Sequence, residues 1–205
     1  MPLIRAGEPP AFKAEAPPAG SDQLVAALHQ GMPAERRAAA RGLASYPEAV
    51  ADLAVHLGNE PDASVRDAIL TALIALRTPA AAAGLLPYLR SEDAALRNEA
   101  IEALQAMPEA VAPYIEKMLS DRNSDVRILM INVLAALPHP LVPRWLEQVV
   151  RADQHVNVCA AAIDALAEAG DAATEPALAA VAARFPDEPF IAYAAGIAMR
   201  RIAGQ

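Results

Sequence analysis

Apolar residues recur along this chain in a fixed rhythm. The segments ERRAAARGL (35 to 43), VRDAILTAL (65 to 73), LRNEAIEAL (96 to 104), VRILMINVL (126 to 134) and VCAAAIDAL (158 to 166) align on their final leucines. Those leucines, at 43, 73, 104, 134 and 166, are 30, 31, 30 and 32 residues apart. Within a segment the apolar places are the first, fifth, sixth, eighth and ninth, although the earliest opens on Glu35. That spacing lays a stripe along one side of a helix, whereas a strand would alternate. Short oxygen-bearing residues precede three segments, in Pro61 to Ser64, Ser91 to Asp93 and Asp121 to Asp125. Such side chains accept from the free N–H groups of a first helical turn, so each segment should open a helix there.

A second apolar stretch lies between consecutive segments, at 47 to 57, 79 to 89, 108 to 119, 140 to 150 and 172 to 184. Pro47, Pro79, Pro108 and Pro140 stand at or near the openings, where a missing N–H costs nothing. The unit is therefore a helix pair. The first joins 22 to 30 with 33 to 45, with Gly31 at a C-cap position, and the last joins 172 to 184 with 187 to 203. Six pairs result, and stacking lets each bury the stripe that it cannot bury alone.

The pattern D-x-x-V-R-x-x-A-x-x-A-L at a period near 31 resembles HEAT-like repeats, specifically the short type associated with phycobilisome lyases. This resemblance implies an all-α, right-handed α-α superhelix of about six helix pairs, occupying residues 21 to 205 as one domain. Residues 1 to 20, broken by Pro2, Pro9, Pro10, Pro17 and Pro18, read as a flexible arm.

In such solenoids the second helix of each pair lines the concave surface. The third, fourth and seventh places of each segment would then face the groove: Arg37, Ala38, Arg41; Asp67, Ala68, Thr71; Asn98, Glu99, Glu102; Ile128, Leu129, Asn132; and Ala160, Ala161, Asp164. The groove would run from basic through acidic to an apolar floor, which Tyr193 extends. Ile128 and Leu129 stand where sister segments carry mostly polar or small residues. Two branched aliphatic side chains exposed together mark a partner site, while a local slip of register would put them in the core. Both readings stay open at this stage.

Arginine fills the second place four times, as Arg36, Arg66, Arg97 and Arg127. Recurrence at one phase of the repeat points to a structural ladder, with guanidinium groups bridging acidic residues and loop carbonyls. Cys159 takes the fifth rung, which should leave that joint softer.

Composition narrows the chemistry. Formal net charge is -8 and no run of Lys and Arg offers a basic stripe, so a phosphate backbone would be repelled. A single cysteine excludes an intramolecular disulfide and thiol-rich metal sites. Ala160, Ala161 and Ala162 around Cys159 should hold its thiol protonated. His155 and Cys159, four apart, supply two ligands where zinc needs three or four, so neither metal nor cofactor is expected. His29, His56, His139 and His155 lie in different repeats or loops and form no converging catalytic set. With no apolar stretch suited to a signal or a membrane span, a cytoplasmic location in a bacterial-type cell is the default. The expected function is a non-catalytic scaffold or adaptor gripping a helix or extended segment of another protein. The alternative implied by the resemblance is a bilin lyase or a lyase-like chaperone, which would alter an acceptor protein's absorbance in the presence of bilin.

Overall fold

The computed structural model describes residues 20–204, and within them every regular element is helical. All but Gly20 of the proline-rich arm lies outside the described residues. The α-helices are α1 (Ser21–Gln30), α2 (Pro33–Leu43), α3 (Val50–Leu57), α4 (Ala63–Leu76), α5 (Pro79–Leu85), α6 (Ala94–Gln105), α7 (Pro108–Val111), α8 (Ile115–Leu119), α9 (Ser124–Ala135), α10 (Val142–Ala152), α11 (Val156–Ala169), α12 (Glu175–Arg184) and α13 (Pro189–Ile202). They form an α-α superhelix of six stacked pairs, whose second members are α2, α4, α6, α9, α11 and α13.

Backbone chemistry sets these boundaries. Asp62 accepts from the N–H groups of Ser64 and Val65, Asp93 from those of Ala95 and Leu96, and Asn123 from that of Asp125. Each thereby satisfies first-turn donors that have no partner within the helix. The stretch 79 to 89 is not one helix: α5 stops at Leu85 and a 3-10 turn, Leu86–Arg90, follows. Pro87 has no N–H to continue the α ladder. Pro113 acts likewise in the 3-10 turn Ala112–Tyr114 between α7 and α8. Pro143, rather than Pro140, sits in the first turn of α10. Gly31 follows α1 with φ at −74°, so it is not needed for a left-handed cap. Space requires it: a Cβ there would lie 2.6 Å from the carbonyl oxygen of Ala27.

The repeating apolar places make one continuous core. Leu43, Leu73, Leu104, Leu134 and Leu166 are at most 1% exposed. Around them pack Val65, Ile69, Val126, Met130, Ile131, Val158 and Ile163 from the second helices, with Leu53, Leu57, Leu85, Val111 and Ile115 from the first. At about 25 cal/mol per Å² of apolar surface removed from water, this sharing between neighbours holds the stack together.

Candidate functional site

The second helices, expected to line a groove, are not evenly spaced. Helix α2 lies along α4, α9 along α11 and α11 along α13, whereas α6 meets α4 and α9 over shorter stretches. A cleft opens on each side of α6. Between α4 and α6, Asp67, Leu70, Thr71, Ile74, Glu99, Glu102 and Ala103 line about 200 Å³. The cleft on the α9 side holds about 470 Å³, lined by the Leu89 to Glu92 loop, Arg97, Asn123, Asp125, Val126, Ile128 and Leu129.

The residues expected in the groove divide accordingly. Asp67, Thr71, Glu99 and Glu102 meet in the first cleft, and Ile128 and Leu129 in the second. Arg37 is half-buried and reaches Ser64 Oγ at 3.4 Å. Arg41, Asn98, Asn132, Asp164 and Tyr193 are exposed on α2, α6, α9, α11 and α13 and line neither cleft. The backbone carbonyl of Asn132 accepts from Gln105 Nε2 at 2.9 Å, tying α6 to α9. Ile128 and Leu129 are both half-buried; Ile128 packs against the edge of the core, and Leu129 is outside it. Leu70 was missed because its sixth place belongs to the stacking stripe, and Ile74 because α4 runs to Leu76, past the nine-residue window that the repeat defines.

The arginines at the second place share one geometry at the loop edge of the groove. Nη1 of each donates to a carbonyl of its own loop: Arg36 to Gly31 at 3.1 Å, Arg66 to Glu60 at 3.3 Å, Arg97 to Ser91 at 2.7 Å and Arg127 to Asp121 at 2.8 Å. In three of them Nε and Nη2 also grip a carboxylate of the next repeat. Arg36 holds Glu60 at 2.8 and 2.6 Å, Arg66 holds Glu99 at 3.1 and 3.3 Å, and Arg127 holds Asp153 at 2.7 and 2.9 Å. Such parallel pairs are the strong form of a charge-assisted bond. Among the described residues, Arg97 has Ser91 alone.

A loop position that the sequence offered only within helix-start signals, at Ser91 and Asp121, organises this ladder. Glu60, Ser91, Asp121 and Asp153, spaced 31, 30 and 32, each accept through their side chains from the backbone N–H two residues on. Their recurrence was the available signal. Where this position is Ser91, Arg66 turns to Glu99 instead. Asp121 is taken by Arg90, so Arg97 finds no carboxylate there.

Glu60 is the most enclosed of these groups. Its side chain has no exposed surface and accepts from Arg36, from the Asp62 N–H and, at 2.9 Å, pairs with His56 Nε2. The Arg36 bond above all holds its carboxyl down at about 2. Bonding to Glu99 likewise raises the Arg66 guanidinium, and the Ser64 hydroxyl lowers Asp62.

The fifth joint is not left without a guanidinium. Cys159 is buried, its Sγ 3.3 Å from the Asp153 carbonyl, and burial pushes its thiol up. Arg184, from the end of α12, reaches back to donate to the carbonyls of Asp153 and Val150. The group that Cys159 lacks thus arrives from the following repeat, which removes the missing guanidinium on which the expectation of a softer joint rested.

A third cleft, of about 490 Å³, opens between first helices α8 and α10, lined by Glu116, Leu119, Trp145, Gln148 and the Arg127–Asp153 pair. Trp145 is 4% exposed and stacks on His139 at 4.8 Å, so its face is not offered to a base. Among the described residues, no three of His, Cys, Asp and Glu stand close enough to hold a metal ion. No described helix is long and apolar enough to cross a membrane.

Comparison with curated proteins finds no match. Solved structures similar to this chain include an engineered protein at 18% identity, covering 90% of this chain and 96% of that one, with a TM-score of 0.42. The CpcE–CpcF complex of phycocyanin lyase from Nostoc sp. PCC7120 is similar at 19% identity over 98% and 99%, with a TM-score of 0.37. A designed armadillo repeat protein is similar at 16% identity over 89% and 100%, with a TM-score of 0.39. The model for HEAT repeats matches residues 21–105 and 82–155, together most of the chain, and the chain belongs to the HEAT-repeat family.

Proposed function

We propose that this chain is a non-catalytic interaction scaffold whose groove receives a helix or an extended segment of a partner protein. The observation that carries this reading is the pair of clefts flanking α6, which place apolar side chains beside charged ones on one open surface. Leu129 contributes aliphatic surface there without belonging to the core. Apolar anchors in a groove with a polar rim are the usual means by which a helix or strand segment is held. Arg37 and Arg41 at one end, then Asp67, Glu99 and Glu102, give the groove a direction along which a partner can be read.

The test compares affinity capture by the full chain with capture by two variants. Leu129→Asp alters the groove, and Val55→Asp alters a residue 65% exposed on the first helix α3. A groove-bound partner is retained by Val55→Asp and lost by Leu129→Asp, with the helical circular dichroism unchanged in both. Equal retention by all three would rule the groove out as the binding surface.

A further inference from the structure

The joint between the third and fourth repeats departs from the pattern twice, and both departures face the same cleft. Arg97 occupies the place from which Arg36, Arg66 and Arg127 each grip a carboxylate, yet among the described residues its Nε and Nη2 have no partner. Beside it, Ile128 and Leu129 stand where the earlier segments have Arg37 and Ala38, Asp67 and Ala68, or Asn98 and Glu99. We propose that this cleft binds a partner segment carrying an Asp or Glu side chain within a few residues of a branched aliphatic or aromatic one. The incoming carboxylate completes the ladder on the Nε and Nη2 edge of Arg97, and its apolar neighbour seats on Ile128 and Leu129. This deepens the scaffold reading and rests on it.

Charge and geometry favour this occupant. A planar guanidinium pinned through Nη1 to the Ser91 carbonyl is already oriented, so a carboxylate meets a fork with little rotamer freedom left to lose. Arg90 is neutralised by Asp121 and does not compete. Glu92 and Asp125 also line the cleft, but both are exposed, where water screens them, whereas Arg97 is half-buried. The Arg127 fork beside the α8/α10 cleft already holds Asp153, so the same chemistry is not on offer there.

A displayed library of random 12-residue peptides, panned on the full chain, tests this. Enriched peptides are expected to share an acidic residue close to Leu, Ile, Phe or Trp. Changing that acid to its amide, or changing Arg97→Lys, should each weaken the best peptide about tenfold or more. Combining the two changes should cost no more than either alone. Arg97→Lys keeps the charge and a donor for Ser91, which separates loss of the fork from loss of folding. Enriched peptides that lose affinity with Leu129→Ser but lack an acid, or ignore Arg97→Lys, would overturn this inference and leave the scaffold reading standing. Failure of every peptide to respond to Leu129→Ser would overturn both. With a photo-cross-linking residue in place of Asn132, cross-links to the peptide are expected. Cross-links to a second copy, or to residues 1–19 of the same chain, would contradict a foreign partner.

Discussion

At the scale of single residues, Glu60 carries the clearest consequence. Its carboxyl titrates at about 2 in the folded chain, against a usual value of 4.5. A depressed folded value means that the ionised form favours folding. Its contribution is fully present above about pH 4.5 and is lost as the pH falls towards 2. The difference amounts to about 3 kcal/mol at 1.36 kcal/mol per unit. Urea titrations at pH 7 and pH 3 should show the destabilisation of Glu60→Gln shrink by about 2 kcal/mol at the second without vanishing, because a carboxyl held at about 2 is still largely ionised there. A constant gap between the two proteins would mean that the charge is not what matters. Arg77 gives a prediction of opposite sign. It ends α4 in the left-handed region at φ 50°, where a Cβ is costly. Arg77→Gly should raise the unfolding free energy by about 0.5–1 kcal/mol, read from the denaturation midpoint. The recurring arginine was plain in the sequence because one residue type repeats. The loop position that meets it was hidden, because Glu60, Ser91, Asp121 and Asp153 share a role and not an identity.

At the scale of elements, helix phase was legible and helix continuity less so. The stripe of the second helices depends on side chains alone, and each predicted segment lies within one helix, α2, α4, α6, α9 or α11. The first helices turn on backbone donors: Pro87 ends α5 in a 3-10 turn, and Pro113 sets another between α7 and α8. The repeat core makes a direct forecast. Leu104→Ala, at a site with no exposed surface, should cost about 2–5 kcal/mol in chemical denaturation. The fifth joint provides a compensation test. Arg184→Ala leaves the Asp153 and Val150 carbonyls short of a donor and should cost about 1–3 kcal/mol. Adding Cys159→Arg restores a guanidinium from the usual rung and should recover most of that loss. No recovery would show that Arg184 is not acting as the missing rung. Sequence alone could not reveal this, since Arg184 lies a full helix beyond the place it fills.

At the scale of the whole molecule, six pairs share one core, and the groove owes its character to where the stack loosens. A helix that meets its neighbours over shorter stretches leaves room on both flanks, and α6 is such a helix. Which places leave the core could be read from the repeat phase, as the exposure of Arg41, Asn98, Asn132 and Asp164 shows. The spreading around α6 could not, since it depends on how three helices pack together. Hydrogen exchange of the full chain, with and without a captured partner, tests the groove most directly. Protection should rise in α4, α6 and α9 and stay unchanged in the first helices α3, α5 and α8. Protection confined to those first helices, or spread evenly over the chain, would contradict a partner seated in the groove.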